Sequence, residues 1–492
     1  DFALVPLAPG ALAPAFAFAA FGLALVGFGI KAGAMPLHSW LPAAHAVAPS
    51  HVSALMSGVL LKMGVYGLLR ATALLPPGPR SWGAIVLALG GLSAILGIVF
   101  ALAQRDLKRL LAHSSIENVG IILLGLGLAL AGRSTGRADW ILLGLAGCLF
   151  HVWNHALFKS LLFFGAGSVM HATGSRDLER MGGLARRMPA TAMLFGIGAL
   201  AICGLPPLNG FVSELLVYLG LARAAMAPMA PMAPLAPLSA GAAAISPAAT
   251  GAWVALAAPV LAATGALAVA CFVKVVGIVF LGTPRSAAAG EAHESPRAML
   301  GPMAVLAVLC ALLGVAPGMV APALERAAAV WAGAPLAGPS LAVLAPLGWV
   351  SAGSLALVAL AGLLLFVLLP VCRRGRLRQP ALPTWDCGFG GGATGATGAI
   401  GASGAIGAIR GVTSSRLQYS ASSFADLVTS RFAWALRPQE RRPVIDRLFP
   451  VQAGFDSHVG DTVLELILRP EARIALAITA WFSWLPQGQL QR

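Results

Sequence analysis

About nine times along its 492 residues, this chain enters an apolar stretch long enough to cross a bilayer, which takes about 20 residues. In hydrocarbon every backbone N–H and C=O must be satisfied within the protein, which leaves only helices and closed barrels. These runs are far longer than barrel strands and do not alternate apolar with polar. They predict an all-α polytopic membrane protein. The spans fall near 15–31, 51–70, 82–103, from 110, 140–171, from 190, 253–281, 298–315 and 347–370. Charged residues make up 10% of the chain, against about 25% in soluble domains.

Two of these spans are interrupted. After the first come Gly33, Pro36, Pro42 and Pro49, which cannot share one continuous helix. The sixth breaks at residues 203–210, CGLPPLNG, and restarts with Glu214 just beyond. The span after the first break carries Lys62, and the span after the second carries Lys274. Paired interruptions in two halves are a sequence pointer to a transport site near the midplane.

The fifth span holds His151, His155 and Lys159, four residues apart each time. That spacing puts all three on one helix face, with about 6 Å of axial rise between neighbours. An ionisable group at membrane depth costs at least about 2.5–3.5 kcal/mol, and such groups usually mark ion or proton paths. Polar contacts that merely pack helices are the other reading, but a stripe of three favours transport. His38 and His45 lie in the broken piece after the first span. Glu117 lies in the fourth span, with His113 one turn earlier on the same face.

The cations are sorted. Only five of the 33 Lys and Arg are lysines, leaving 28 arginines. Lys31, Lys62, Lys159 and Lys274 lie in or at the edge of apolar spans, and only Lys108 reads as a loop residue. Arginine almost never gives up its proton, whereas a buried lysine can. The membrane lysines are therefore candidate proton-exchanging groups.

The net charge of +15 comes from arginines in loops and tail, a positive-inside pattern rather than a nucleic-acid footprint. Loops after odd-numbered spans hold more Lys and Arg than the others, which predicts that they and the tail are cytoplasmic. Residues 1–370 read as the transmembrane domain and 371–492 as a basic, partly low-complexity tail. A Pro/Ala/Met tract near 225–251 reads as an exposed linker, and a Gly/Ala tract at 391–409 as flexible. Cys148, Cys203, Cys271, Cys310, Cys372 and Cys387 form no CxxC pair, so neither a disulfide framework nor a metal site is expected. No pattern for a haem or iron–sulfur cluster is present either.

Three stretches, IKAGAMPLHSWLPAAHAVAPSHVSALMSGVLLKMGVYGLLR, HVWNHALFKSLLFFGAG and GLPPLNGFVSELLV, resemble the antiporter-like subunits of respiratory complex I and their relatives in cation antiporters and membrane-bound hydrogenases. The resemblance covers most of residues 1–300. HSSIENVGI, CFVKVVGIVFLGTPR, TWDCGF and FDSHVGD look most like the hydrogenase-4 component B and formate hydrogenlyase branch. The resemblance implies two inverted repeats of five helices, each with a broken helix and a central titratable chain. Lys31 matches the broken-helix lysine of the first repeat and Lys62 the connecting lysine. Lys159, with His151 and His155, matches the central lysine helix of the second repeat, and Glu214 the residue leading to the far side. The family has further helices before the first span and one after the tail, so the chain is expected to be part of a longer protein.

The implied function is proton translocation in a group 4 nickel–iron hydrogenase or formate hydrogenlyase complex of a bacterial inner membrane. Its partners would be other membrane subunits, a soluble hydrogenase or dehydrogenase arm and the lipid bilayer. It would hold no cofactor and no redox site of its own. Proposed order: Lys31 and Lys62 hand over through His151, His155 and Lys159 to Glu214, with Lys274 as a proton inlet or snorkelling anchor. His38, His45, His113 and Glu117 are auxiliary. Two alternatives stay open: a cation/proton antiporter or complex I pumping subunit, and a non-pumping structural anchor.

Overall fold

The computed structural model describes residues 6–8, 10–226, 247–336, 338–375, 420–441, 456–460, 462, 464–465 and 469–481. Most of the Pro/Ala/Met tract, all of the Gly/Ala tract and the TWDCGF motif lie outside them. Among the described residues, eight helical spans are long and apolar enough to cross a membrane. The chain order is α1 (Pro14–Ala32), α2 (Trp40–Val47), α3 (Ser50–Leu74), α4 (Arg80–Ala103), α5 (Leu107–Thr135) and α6 (Ala138–Thr173). Then follow α7 (Pro189–Ile202), α8 (Asn209–Ala225), α9 (Pro247–Ala255), α10 (Ala257–Phe280), α11 (Arg297–Val315), α12 (Ala321–Ala332) and α13 (Leu347–Gly375). The sixth predicted span is the pair α7 and α8, each too short to count alone.

Helix α5 is the centre. Its apolar window is buried throughout, with α4 on one side and α6 on another. Small residues allow that closeness. A Cβ at Gly83, Gly90 or Gly97 of α4 would come within 2.5–2.8 Å of α5 backbone nitrogens. Between α5 and α6, a Cβ at Gly144 would meet the Gly125 carbonyl oxygen at 2.6 Å. Backbone approach of this kind is how membrane helices gain packing energy without a hydrophobic driving force. By contrast α13 is almost wholly exposed, as a helix with an apolar surface all round can be in lipid.

Both breaks are present. Helix α1 stops at Gly33, whose φ of 73° ends it in the left-handed conformation that glycine adopts freely. Helix α7 ends at Ile202, Gly204 takes φ 61°, and α8 restarts at Asn209. A third irregularity was not legible in the sequence. Helix α3 contains one π-helical turn, Met56–Leu60, immediately before Lys62. Such turns cluster at functional sites.

One sequence expectation needs correction. Lys108, read as a loop cation, lies in the first turn of α5 and is 1% exposed. Its Nζ donates to the Ala48 carbonyl just past the end of α2. The Asp106 side chain caps α5 by accepting from the Lys108 and Arg109 amides, so the helix starts earlier than its apolar pattern does.

The described residues divide into two compact units, Asp1–Phe424 and Ala425–Arg492. The second contains a two-stranded antiparallel ribbon, Gln439–Arg441 with Asp456–His458, and a helix, Arg469–Trp481.

Candidate functional site: a buried polar row

The row is built on α6. Its 36 residues keep their i, i+4 register, so His151, His155 and Lys159 stack along one face, and all three are fully buried. Helix α3 supplies Lys62, 8% exposed, whose Nζ lies 2.9 Å from His155 Nδ1. The π turn turns the Ser57 carbonyl toward that ammonium, and Lys62 Nζ donates to it. Ser57 Oγ in turn sits 3.0 Å from Ser115 Oγ of α5.

Lys159 Nζ donates to the Leu111 carbonyl at 2.8 Å and to Ser114 Oγ at 2.5 Å, both on α5. Lys274 of α10 donates to the Leu102 and Gln104 carbonyls at 2.6 and 2.8 Å, at the C-terminal end of α4. These three lysines thus rest on neutral acceptors. The Arg137–Asp139, Arg176–Asp106 and Arg285–Glu179 ion pairs lie at helix ends and loops. A neutral cradle suits a group that must be stable both with and without its proton. A fixed ion pair would be broken by deprotonation.

Beyond His155 the row continues to His151, with ring centroids 6.5 Å apart. His151 Nε2 is 3.1 Å from Asn118 Oδ1, and His151 Nδ1 is 3.0 Å from Ser213 Oγ of α8. Asn118 Nδ2 donates to Glu117 Oε2 at 2.6 Å. Asn154 Nδ2 donates to Ser213 Oγ at 3.0 Å and to the Asn209 carbonyl at 2.8 Å. The next residue after Ser213 is Glu214, 8% exposed, whose carboxylate fills the space beside Gly204 in the second break.

The remaining candidates stand around this row. His38 and His113 are buried with centroids 6.4 Å apart, and His113 stacks on Phe100 at 5.5 Å. His45 is fully buried and stacks on Phe163 at 4.7 Å. Lys31 stands apart: it lies exposed in the last turn of α1. Sequence reasoning passed over Ser57, Ser114, Ser115, Asn118, Asn154 and Ser213. Their signal was present as neutral polar residues inside apolar spans, where a lone hydroxyl or amide also occurs simply as helix packing.

Residues 7–234 match the family model for the transmembrane domain of NADH:quinone oxidoreductase/Mrp antiporters. Hydrogenase-4 component B of Escherichia coli (strain K12) is 47% identical over 327 residues, covering 66% of this chain and 46% of that protein. Formate hydrogenlyase subunit 3 of the same organism is 38% identical over 373 residues, covering 75% and 56% respectively. Among solved structures, a chain of respiratory complex I from Thermus thermophilus with bound NADH is similar at TM-score 0.51 and 30% identity. That match covers 68% of this chain and 61% of the other. The chain spans about half the length of the curated relatives it matches. Over residues 7–234 the chain is thus similar to the NADH:quinone oxidoreductase/Mrp antiporter family, and it has the multi-span membrane architecture of such subunits.

Proposed function

We propose that this chain is a proton-translocating membrane subunit of a group 4 nickel–iron hydrogenase or formate hydrogenlyase complex. It moves protons along its buried Lys/His/Glu row, driven by redox chemistry elsewhere in the complex. One observation carries the reading: Lys62 Nζ and His155 Nδ1, from different helices, meet at 2.9 Å deep inside apolar spans. A buried ammonium and an imidazole can each give up and regain a proton, and contact makes handover possible. From His155 the row runs to His151 and Ser213, and ends at Glu214 beside the second break. Lys159 joins through Ser114, beside the Ser115–Ser57 contact that leads back to Lys62. Similarity to hydrogenase-4 component B and formate hydrogenlyase subunit 3 favours that class of complex over a sodium antiporter.

Its partners are other membrane subunits and a soluble hydrogenase or dehydrogenase arm. It sits in the bacterial inner membrane with the basic tail on the cytoplasmic side, where arginine-rich segments are retained. The chain itself carries out no redox step.

The test uses the complete complex in sealed vesicles with a pH-sensitive dye. Lys62→Gln is polar and of similar length but removes the exchangeable charge. The reading predicts that redox turnover continues while proton movement falls to background. Unchanged proton movement with the complex intact would make the chain an anchor instead.

A further inference from the structure

The geometry points to Asn118 as a positioning residue that sets the tautomer of His151: Nε2 keeps its hydrogen, and the proton that comes and goes is the one on Nδ1, which faces Ser213 and the second helix break. This inference rests on reading His151 as a carrier.

Three hydrogen bonds fix the first half. Asn118 Nδ2 lies 2.8 Å from the Ser114 carbonyl. A backbone carbonyl only accepts, so the atom facing it must be the amide nitrogen, whatever the charge of Glu117. The same nitrogen also faces Glu117 Oε2 at 2.6 Å, which commits both of its hydrogens. Asn118 Oδ1 is thereby turned to His151 Nε2 at 3.1 Å. An amide oxygen also only accepts, so Nε2 must carry a hydrogen in the neutral ring and in the charged one alike. Asn118 therefore selects the tautomer, as a partner on one ring nitrogen generally does.

The second half lies across the ring. Asn154 Nδ2 is committed to the Asn209 carbonyl at 2.8 Å by the same argument, and its second hydrogen goes to Ser213 Oγ at 3.0 Å. Ser213 has one hydrogen left to give and two acceptors in reach. These are His151 Nδ1 at 3.0 Å and the Gly210 carbonyl at 3.0 Å. When His151 is neutral, the Nδ1 lone pair accepts from the hydroxyl. When a proton joins that lone pair, Nδ1–H donates to Ser213 Oγ instead, and the hydroxyl hydrogen turns to the Gly210 carbonyl. No bond to Ser213 breaks in this change. The charge state of His151 is thus registered as a hydrogen bond made or lost in the first turn of α8, four residues before Glu214.

Nitrogen spectra of isotope-labelled histidine, recorded by solid-state NMR on the full chain in membranes, test this directly. His151→Gln identifies the resonances by difference. On the neutral ring, the inference predicts a protonated Nε2 and an unprotonated Nδ1. Asn118→Asp keeps an acceptor oxygen and should preserve that pattern, whereas Asn118→Leu should lose the exclusive Nε2–H tautomer. Ser213→Ala should leave the tautomer unchanged. A wild-type ring protonated at Nδ1 would overturn the inference without any variant. So would an unaltered Nε2–H tautomer in Asn118→Leu. Vesicles that fail to move protons while His151 shows the expected tautomer would count against the proposed function and leave this assignment standing.

Discussion

Gly204 and Glu214 fit together across the second helix break. A Cβ added at Gly204 would stand 2.7 Å from Glu214 Oε2 and 2.9 Å from its Cδ, and Gly204 itself takes φ 61°. The glycine therefore does two things: it turns the chain where an L side chain is strained, and it leaves the space that the carboxylate occupies.

Gly204→Ala should destabilise the protein by about 1–2 kcal/mol from the backbone conformation alone. Displacement of Glu214 adds to that. Thermal unfolding in detergent measures the total. Adding Glu214→Ala removes the clash, so the double variant should cost less than the sum of the singles, by about 0.5–3 kcal/mol. Strict additivity would show that the two side chains do not share this space.

Gly97→Ala probes the packing of α4 on α5. The new methyl would lie 2.5 Å from the Glu117 backbone nitrogen and 2.9 Å from its Cα, neither of which can swing away. A loss of about 1–3 kcal/mol is expected. A methyl at Gly196 or Gly277 meets no heavy atom within 4 Å, so Ala there serves as the control and should change little.

Glu294, in the loop before α11, gives a pH signature. Burial works to raise its pKa, but hydrogen bonds from Thr191 Oγ1 and from the Ser295, Ala190 and Thr191 amides outweigh it and hold the carboxyl below its ordinary value. A depressed folded value means the unfolded chain takes up the proton first on acidification. The stabilisation is therefore present above the usual glutamate range and lost as pH falls through the lower folded value. Glu294→Gln should be less stable than wild type at neutral pH, with the gap closing in acid. A gap independent of pH would contradict this.

The long apolar runs, the two breaks and the His151–His155–Lys159 stripe were legible because each depends on spacing along one segment. Contacts between segments were not. Nothing in the spacing joins Lys62 to His155, which are 93 residues apart. Lys108 was misread because its helix starts at an Asp cap, ahead of the apolar pattern. The π turn at Met56–Leu60 was not legible, since no spacing of residues sets a single π turn apart from the α-helix on either side. Lys274 could have been a snorkelling anchor from sequence alone. The structure shows its Nζ turned inward to the Leu102 and Gln104 carbonyls.

The central claim is that a buried lysine gives up and regains a proton in each cycle, and Lys159 tests it most directly. Lys159 is fully buried, and its Nζ is held by the Leu111 carbonyl and Ser114 Oγ. Lys159→Arg keeps the positive charge and donors for those acceptors, but a guanidinium holds its proton far more tightly than an ammonium and stays charged throughout. Lys159→Gln is neutral throughout. Proton movement into vesicles should be measured for both, with assembly and redox turnover of the complex checked in parallel. The account predicts that both variants assemble and turn over but fail to move protons. Proton movement at the wild-type rate in Lys159→Arg, with the complex intact, would contradict it.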